Sequence, residues 1–231
     1  MPVFSVLVVT AAPPGQAAEA GGAFVKIDGR EALLRSVELF LNRDNVKQVQ
    51  LVVEPDAMDE AKRKYGPHLG FSGVKLLAGG VKWMEQVAAA ADRIADECTH
   101  VILHDAARPA VPYTDIEALM DAAGKHDAVA LAAGVRNVLV EVDEGGNPLA
   151  WHLPSRFMNL LTPQAYSKAK FLEMAKTQTE IHPSQATLVK GSPLNVRVGG
   201  SGEAGLVKTM LAMLPKPKIK PPSSPFEEAQ W

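Results

Sequence analysis

The stretch VILHDAARP, residues 101–109, decides the fold that the sequence predicts. Three branched apolar residues are followed by polar residues and a proline, which is typical of a buried strand that ends at His104. Open α/β sheets bind their ligands just beyond the carboxyl ends of such strands. We therefore expect His104, Asp105 and Arg108 to lie in a ligand-binding site at one edge of a sheet.

Apolar strands and helical patterns alternate along most of the chain around this stretch. The predicted strands are Phe4–Val9, 48–55, 73–80, the strand ending at His104, and 127–134. The predicted helices are 31–43, 58–65, 83–97 and 114–125. Strands separated by helices imply an α/β protein with a largely parallel sheet.

Residues 138–153, VLVEVDEGGNPLAWHL, break this alternation. Apolar and polar residues alternate on both sides of the sequence DEGGNP, which is typical of a β-hairpin. A hairpin cannot serve as the crossover between two parallel strands. We therefore expect it to project from the sheet as an arm, at about residues 136–155.

The composition is that of one soluble globular domain, which we place at residues 1–214 of the 231. Apolar residues make up 47% and charged residues 22%, and the formal charge of -2 gives no sign of a nucleic-acid partner. The apolar N-terminal run is too short to span a membrane and lacks the basic flank of a signal peptide. The lone Cys98 excludes an internal disulfide and favours a reducing compartment, so we expect a cytoplasmic protein. Residues 215–231, rich in proline and lysine, predict an extended tail, either solvated or anchored on a partner subunit by Phe226 or Trp231.

Five stretches resemble a known family: FVKIDGREALLRSVELF, LLAGG, VILHDAARP, LLTPQAY and LVKGSPLNVRV. They stand in the order, and at roughly the spacing, of the methylerythritol-phosphate cytidylyltransferases, and the resemblance runs to about residue 213. It implies a Rossmann-like nucleotidyltransferase fold of the nucleotide-diphospho-sugar transferase type, with a projecting arm that makes a homodimer. It also implies transfer of CMP from CTP to 2-C-methyl-D-erythritol 4-phosphate, a phosphorylated polyol, with release of pyrophosphate and the help of Mg²⁺. That reaction belongs to the non-mevalonate route to isoprenoid precursors.

The resemblance assigns roles to individual residues. The implied catalytic residues are Arg156, which the family uses across the dimer, and Arg197, which replaces the family's lysine. The implied nucleotide-binding residues are Ala11, Ala12, Gly15, Gly79, Gly80, Lys82, Gln86, Asp105 and Ala106. The implied acceptor-binding residues are Asp105, Arg108, Arg136, Asn137 and Thr162, and Asp105 is also the candidate Mg²⁺ ligand.

The chain departs from the family pattern at several phosphate-binding and base-binding positions. In the phosphate loop, Pro13 replaces a glycine and Ala17 replaces an arginine, and Gly22 or Ala23 then replaces a lysine. In the motif that begins with the glycine pair and reads the cytosine, Trp83 replaces an arginine and Gln86 replaces a serine. Lys26 and Lys82 are the candidates for replacing the lost cations. Gln86 has two interpretations, a residue that hydrogen-bonds a base edge or a residue on a helix surface.

These losses leave three hypotheses open. If each missing contact to the triphosphate is worth about 2 kcal/mol, three of them cost about 6 kcal/mol of transition-state stabilisation. The chain is therefore a divergent cytidylyltransferase, a nucleotidyltransferase with a changed substrate, or a non-catalytic relative that keeps the fold as a binding or assembly module. Asp105 and Arg108 have an alternative role in which they simply pair with each other. A Rossmann dehydrogenase is rejected, because no G-x-G-x-x-G follows the first strand although Glu54 ends the second.

Overall fold

The computed structural model describes residues 1–15 and 22–215 of the chain. Its strands are β1 Phe4–Val9, β2 Lys26–Ile27, β3 Arg30–Glu31, β4 Val46–Val53, β5 Lys75–Ala78, β6 His100–Asp105, β7 Ala128–Gly134, β8 Leu139–Val142, β9 Pro148–His152, β10 Met158–Ser167 and β11 Thr187–Lys190. Its helices are α1 Ala32–Glu38, α2 Met58–Phe71, α3 Trp83–Ala91, α4 Tyr113–Ala123, α5 Lys168–Thr177 and α6 Ala204–Met213.

Seven strands form the central sheet in the order β11-β7-β10-β6-β1-β4-β5. The pairs β1/β4, β1/β6, β4/β5 and β7/β11 are parallel, and only β10 runs antiparallel to its neighbours β6 and β7. The predicted α/β fold with a mostly parallel sheet is therefore confirmed. Val9 at the end of β1 pairs with Asp105 at the end of β6, so the loops after these two strands lie side by side.

Successive residues of the central strands point to opposite faces of the sheet, and both sets are largely apolar. Helices therefore cover both faces. One apolar cluster joins the sheet to α1, α2 and α4, and the other joins it to α3 and α5. Helix α6 packs instead on the short strand β2, where Ile27 and Val207 are fully buried with Val198. Ser36 of α1 donates a hydrogen bond to the carbonyl of Ala106 at 2.8 Å, which ties this helix to the end of β6.

Helix α3 ends earlier than the pattern at 83–97 predicted. The reason lies in Gln48, a buried residue of β4. Its side chain accepts a hydrogen bond from the N–H of Ala95 at 3.0 Å and donates one to the carbonyl of Arg93 at 2.8 Å. A side chain from the sheet thus satisfies backbone groups that a longer helix would have bonded internally.

The predicted hairpin forms a separate two-stranded antiparallel sheet, β8 with β9. Strands β10 and β11 and helices α5 and α6 were not predicted, although the motif LLTPQAY lies within β10. In the described residues, no helix combines the length and the apolar character that crossing a membrane requires. The expectations for Ala17 and for nearly all of the tail, with Phe226 and Trp231, lie outside the described residues.

Candidate active site

Asp105, the last residue of β6, holds its carboxylate at the carboxyl edge of the sheet with no exposed surface. One oxygen accepts the N–H of Ala107 at 2.9 Å, and the other accepts Nε of Arg197 at 2.9 Å. Nε of Arg108 lies 3.7 Å from the same second oxygen. Burial raises the pKa of Asp105, while the charge of Arg197, the N–H of Ala107 and the charge of Arg108 act against that rise. The carboxylate is therefore held as an ion pair with two guanidinium groups.

His104 precedes Asp105 and connects β6 to β10 through hydrogen bonds. It is completely buried, and burial lowers its pKa to about 3, so the ring is neutral near pH 7. Its Nε2 lies 3.1 Å from the carbonyl of Arg108, which can only accept, so Nε2 carries the proton. Nδ1 must then accept from the hydroxyl of Thr162 at 3.2 Å, and that hydroxyl in turn accepts the N–H of Asp105 at 3.1 Å. The only hydroxyl proton of Thr162 is thus used inside the protein.

Asn195 completes this group, although the sequence analysis gave it no role. Its side chain donates to the carbonyl of Thr162 at 2.7 Å, and its own carbonyl accepts from Arg108 at 2.9 Å. Its side-chain oxygen is buried and has no partner among the described residues. The position of Asn195 two residues before Arg197, in the quoted motif, was the signal that could have found it. We call His104, Asp105, Arg108, Thr162, Asn195 and Arg197 the β6 cluster.

Gln86, in α3, forms a second polar group at the same edge of the sheet. Its side chain is fully buried, so the interpretation as a helix-surface residue is wrong. Its oxygen accepts the N–H groups of Thr10 at 2.9 Å and Ala11 at 3.1 Å. Its nitrogen donates to the carbonyl of Gly80 at 3.1 Å and lies 3.4 Å from the hydroxyl of Thr10. The role of Gln86 in base binding stays a prediction, but in this conformation its amide holds the loop after β1 against the turn after β5.

The glycine pair after β5 is required by close packing. A Cβ atom at Gly79 would lie 2.6 Å from a methyl carbon of Val52 and 2.9 Å from Cα of Gln86. One at Gly80 would lie 2.5 Å from Cβ of Glu85. We call Thr10, Ala11, Gly79, Gly80, Trp83 and Gln86 the β1–β5 cluster.

Two substitutions relative to the family pattern are packed into the core. Trp83 is 3% exposed, and its indole N–H is buried without a partner among the described residues. A Cβ atom at Gly22 would lie 2.3 Å from the carbonyl oxygen of Val198. No side chain fits at Gly22 with this backbone, so a lysine there would require a different path of the chain. Ala23, the other position considered for that lysine, is also buried.

The other predicted nucleotide-binding residues, and the candidate cation Lys26, differ in exposure. Ala11 and Ala106 are buried, Ala12 is half-buried, and Gly15 is exposed with a positive φ of 74°. Lys82 is exposed at the start of α3, where its N–H donates to the carboxylate of Glu85 at 3.0 Å. Lys26 is exposed on β2 and stands opposite Glu31 of β3. Lys82 therefore lies next to the glycine turn, whereas Lys26 faces Glu31 across two strands, and the carboxylate of Glu31 forms its ion pair with Lys64 at 2.9 Å.

Three predicted residues stand apart from both clusters. Arg136 and Asn137 are exposed where the chain enters the arm, and Arg156 is exposed in a short 3₁₀ turn after β9. Within residues 1–15 and 22–215, no hydrogen bond or ion pair joins any of the three to the β6 cluster. Their roles in acceptor binding and catalysis stay predictions.

The described residues do not fit a metal ion held by the protein alone. No group of three His, Cys, Asp or Glu residues among them is arranged to bind a metal. Asp105, the predicted ligand, is fully buried, and both of its oxygens already accept hydrogen bonds. Mg²⁺ often takes one or two carboxylates together with substrate phosphates and water, so a nucleotide would have to supply most of its ligands.

The fold and the polar strand ends define an α/β protein with a candidate ligand-binding site at the carboxyl edge of its sheet. The sequence model of the 2-C-methyl-D-erythritol 4-phosphate cytidylyltransferases matches residues 5–205, and the chain belongs to this family.

Two curated relatives show how similar this sequence is to other proteins of the family. A 2-C-methyl-D-erythritol 4-phosphate cytidylyltransferase of Bifidobacterium longum is 27% identical over 176 residues, which cover 71% of this chain and 60% of the relative. A bifunctional enzyme IspD/IspF of Nitrobacter winogradskyi is 31% identical over 167 residues, which cover 69% of this chain and 40% of the relative. The chain thus spans 60% or less of the length of these two relatives.

Solved structures agree on the fold. The 2-C-methyl-D-erythritol 4-phosphate cytidylyltransferase of Thermus thermophilus superposes with a TM-score of 0.71 at 23% identity, covering 93% of this chain and 100% of its own. The 4-diphosphocytidyl-2C-methyl-D-erythritol synthase of Anaerococcus prevotii gives a TM-score of 0.74 at 15% identity, covering 91% and 99%. At these identities the likeness establishes the fold alone.

Proposed function

We propose that this chain transfers the cytidylyl group of CTP to 2-C-methyl-D-erythritol 4-phosphate and releases pyrophosphate. Family membership supports the reaction, and the geometry of the β6 cluster supports assigning it to these residues. In this cluster two arginines and one aspartate meet at the carboxyl end of a parallel strand, where α/β sheets bind nucleotides and their partners.

The chemistry requires mainly cations in fixed positions. A phosphate oxygen of the acceptor attacks the α-phosphorus of CTP, a new P–O bond forms, and the bond to the β-phosphate breaks as pyrophosphate leaves with the electron pair. Negative charge builds on the phosphates during this exchange, and preorganised cations stabilise it. Arg197 is the candidate for that role, because its side chain is 12% exposed while that of Arg108 is 7% exposed. Arg108 is proposed to contact the acceptor and Asp105 to hold Arg197 in place. Thr162 is proposed to contact the acceptor only by accepting a hydrogen bond, because its own proton is bonded to His104.

Magnesium is part of this proposal as a companion of the nucleotide. Because no group of three His, Cys, Asp or Glu residues in the described part of the chain is arranged to hold a metal, Mg²⁺ is expected to enter with the triphosphate. The buried, free Cys98 supports a reducing compartment, the cytoplasm, as the place of action.

A homodimer through the arm is also part of the proposal. The arm and the start of β10 expose an unusual number of large apolar side chains, which are Val138, Leu139, Val140, Val142, Leu149, Trp151, Leu153, Phe157, Met158 and Leu160. So many exposed apolar side chains within residues 138–160 favour an interaction site. Arg156 lies in the same region, so an arm laid on a second copy would bring this arginine to the partner's site. Sedimentation should give a dimer for the wild type and a monomer for Trp151→Glu.

The decisive assay follows pyrophosphate release from CTP, 2-C-methyl-D-erythritol 4-phosphate and Mg²⁺. Arg197→Ala should lower kcat/KM by at least about a hundredfold, because it removes a cation from the developing charge. Arg197→Lys, which restores the family's residue, is the matched control and should retain or raise the rate. No pyrophosphate from the wild type would refute the proposal and favour the non-catalytic relative, which the packed positions Gly22 and Trp83 would then explain.

A further inference from the structure

The orientation of the Gln86 amide is fixed by its neighbours. The backbone N–H groups of Thr10 and Ala11 can only donate, and the carbonyl of Gly80 can only accept. The side-chain oxygen must therefore face the end of β1, and the side-chain nitrogen must face the turn after β5. Both acceptor positions of the oxygen and both donor positions of the nitrogen are occupied.

These protein groups form a surface that is complementary to a planar ligand edge with an acceptor beside a donor. Two N–H groups from one strand end and one carbonyl from the neighbouring turn converge on a single side chain at the ligand-binding edge of the sheet. The pairing edge of cytosine offers the same pattern, a ring acceptor beside an exocyclic amino group. Proteins that read a base outside a duplex bind it through this edge.

The space around these groups is filled by Gln86 itself. The side chain has no exposed surface, and Gly79 approaches so closely that a Cβ there would meet Cα of Gln86 at 2.9 Å and its Cγ at 3.0 Å. Trp83, one turn before Gln86 in α3, is also packed into the core. A base and the Gln86 side chain cannot both contact the N–H groups of Thr10 and Ala11.

We infer that Gln86 is an internal competitor for the nucleotide base, so that the wild-type site discriminates little between bases. The side chain makes the contacts that a pyrimidine edge would make, so a bound nucleotide is held by its ribose and phosphates. The inference rests on the proposed function, because it concerns the nucleotide of that reaction.

The wild-type protein gives the first test by calorimetry in Mg²⁺ with CTP, ATP and ribose 5-triphosphate, which lacks a base. The three ligands should bind within about threefold of one another, because the base adds little free energy. A preference for CTP over ribose 5-triphosphate of tenfold or more would overturn the inference. This comparison needs no variant, so it holds even where a substitution at a buried position impairs folding.

Two variants then distinguish the effect of the hydrogen bonds of Gln86 from the effect of the volume that its side chain fills. Gln86→Ser vacates the volume and frees the three backbone groups, and CTP should bind about tenfold more tightly while ribose 5-triphosphate is unchanged, since each freed hydrogen bond contributes modestly. Gln86→Met fills a similar volume without polar atoms, and it should leave CTP affinity within about threefold of the wild type. The inference would be contradicted if folded Gln86→Ser bound CTP no more tightly than the wild type, or if it gained equally for CTP and ribose 5-triphosphate. It would also be contradicted if neither the wild type nor Gln86→Ser bound any triphosphate.

The binding test of this inference and the pyrophosphate assay of the proposed reaction can fail independently. A chain that shows this binding pattern but releases no pyrophosphate keeps the inference and loses the reaction. A chain that releases pyrophosphate and selects CTP tenfold keeps the reaction and loses the inference.

Discussion

The two polar clusters at the carboxyl edge of the sheet are adjacent, since Val9 pairs with Asp105, yet they have diverged differently from the family pattern. The β6 cluster keeps charged residues, and each is bonded to another member or to backbone at its strand end. The β1–β5 cluster has lost its cation and its small hydroxyl residue to Trp83 and Gln86, both buried.

The difference shows how a site can change without loss of the fold. Exchanging a cation for a buried tryptophan adds apolar contacts, and with a glutamine in place of the serine the N–H groups of Thr10 and Ala11 are both paired. In the β6 cluster the loss of Asp105 would leave two guanidinium groups without their shared carboxylate, whereas Arg197 replaces a lysine and keeps the charge. The β1–β5 cluster has therefore changed with loss of charge, and the β6 cluster has changed only with its charge kept.

The largest effect is expected in the β6 cluster, from Asp105→Ala. The change leaves Arg108 and Arg197 close together without the carboxylate that both approach, and breaking a buried ion pair in this way costs about 3–5 kcal/mol. Urea unfolding followed by circular dichroism measures the loss. Asp121→Ala, at an exposed position of α4, should stay within about 0.5 kcal/mol of the wild type. A loss below about 1 kcal/mol for Asp105→Ala would mean that the pair is not a structural requirement.

The second effect concerns the packing of the β1–β5 cluster. Gly79→Ala places a Cβ closer than 3.0 Å to both Val52 and Gln86, and overpacking of this kind should cost about 3 kcal/mol. Gly70→Ala is the matched control, because a Cβ there meets nothing within 4 Å and alanine favours the helix by up to about 1 kcal/mol. Thermal melting of both variants would test this. Equal melting temperatures would show that the turn after β5 yields easily.

The third effect is a pH dependence that belongs to the β6 cluster alone. Burial lowers the pKa of His104 to about 3 from an ordinary value of 6.5, so the unfolded chain takes up a proton first as the pH falls. The stability from this group is therefore complete above pH 6.5 and is lost progressively toward pH 3, with about 2 kcal/mol lost between pH 7 and pH 5.

Urea midpoints at several pH values test that slope. His104→Gln keeps a donor for the carbonyl of Arg108 but removes the titrating ring, so its stability should change by about 2 kcal/mol less over the same interval. His126→Gln, at an exposed position, should follow the wild-type curve. Parallel curves for all three proteins would show that His104 takes up its proton equally in both states.

The smallest effect is expected at the exposed rim of the β1–β5 cluster. If Lys82 contributes a cation to the triphosphate from the start of α3, Lys82→Ala should weaken CTP binding by no more than about fivefold, since exposed charges are screened. Lys75→Ala provides the control, because Lys75 is exposed at the opposite end of β5. Calorimetry at low and high salt would reveal the difference, and a hundredfold loss for Lys82→Ala would mean that this lysine has replaced the lost cations of the family pattern.

The central fold was predictable, because the strands of its first half are short apolar runs between helical patterns. Strand β6 and the hairpin could be placed to within a residue or two. The boundaries of α3 could not, since its end depends on Gln48 from a distant strand. The antiparallel strand β10 was missed because its sequence, with a proline in the middle, does not follow the alternation of a typical strand.

The sequence by itself determined the class of fold, the position of the polar residues at the end of β6, and the family to which the chain belongs. These depend on local patterns and on motifs that can be read in order along the chain. Only the tertiary structure decided what the changed residues do: that Gln86 bonds the end of β1, that Gly22 has no room for a side chain, and that Asn195 links Thr162 to Arg108. The physical reason is that each of these contacts joins residues far apart in the sequence, and a hydrogen bond or a steric limit exists only once the sheet has brought both partners to the same edge.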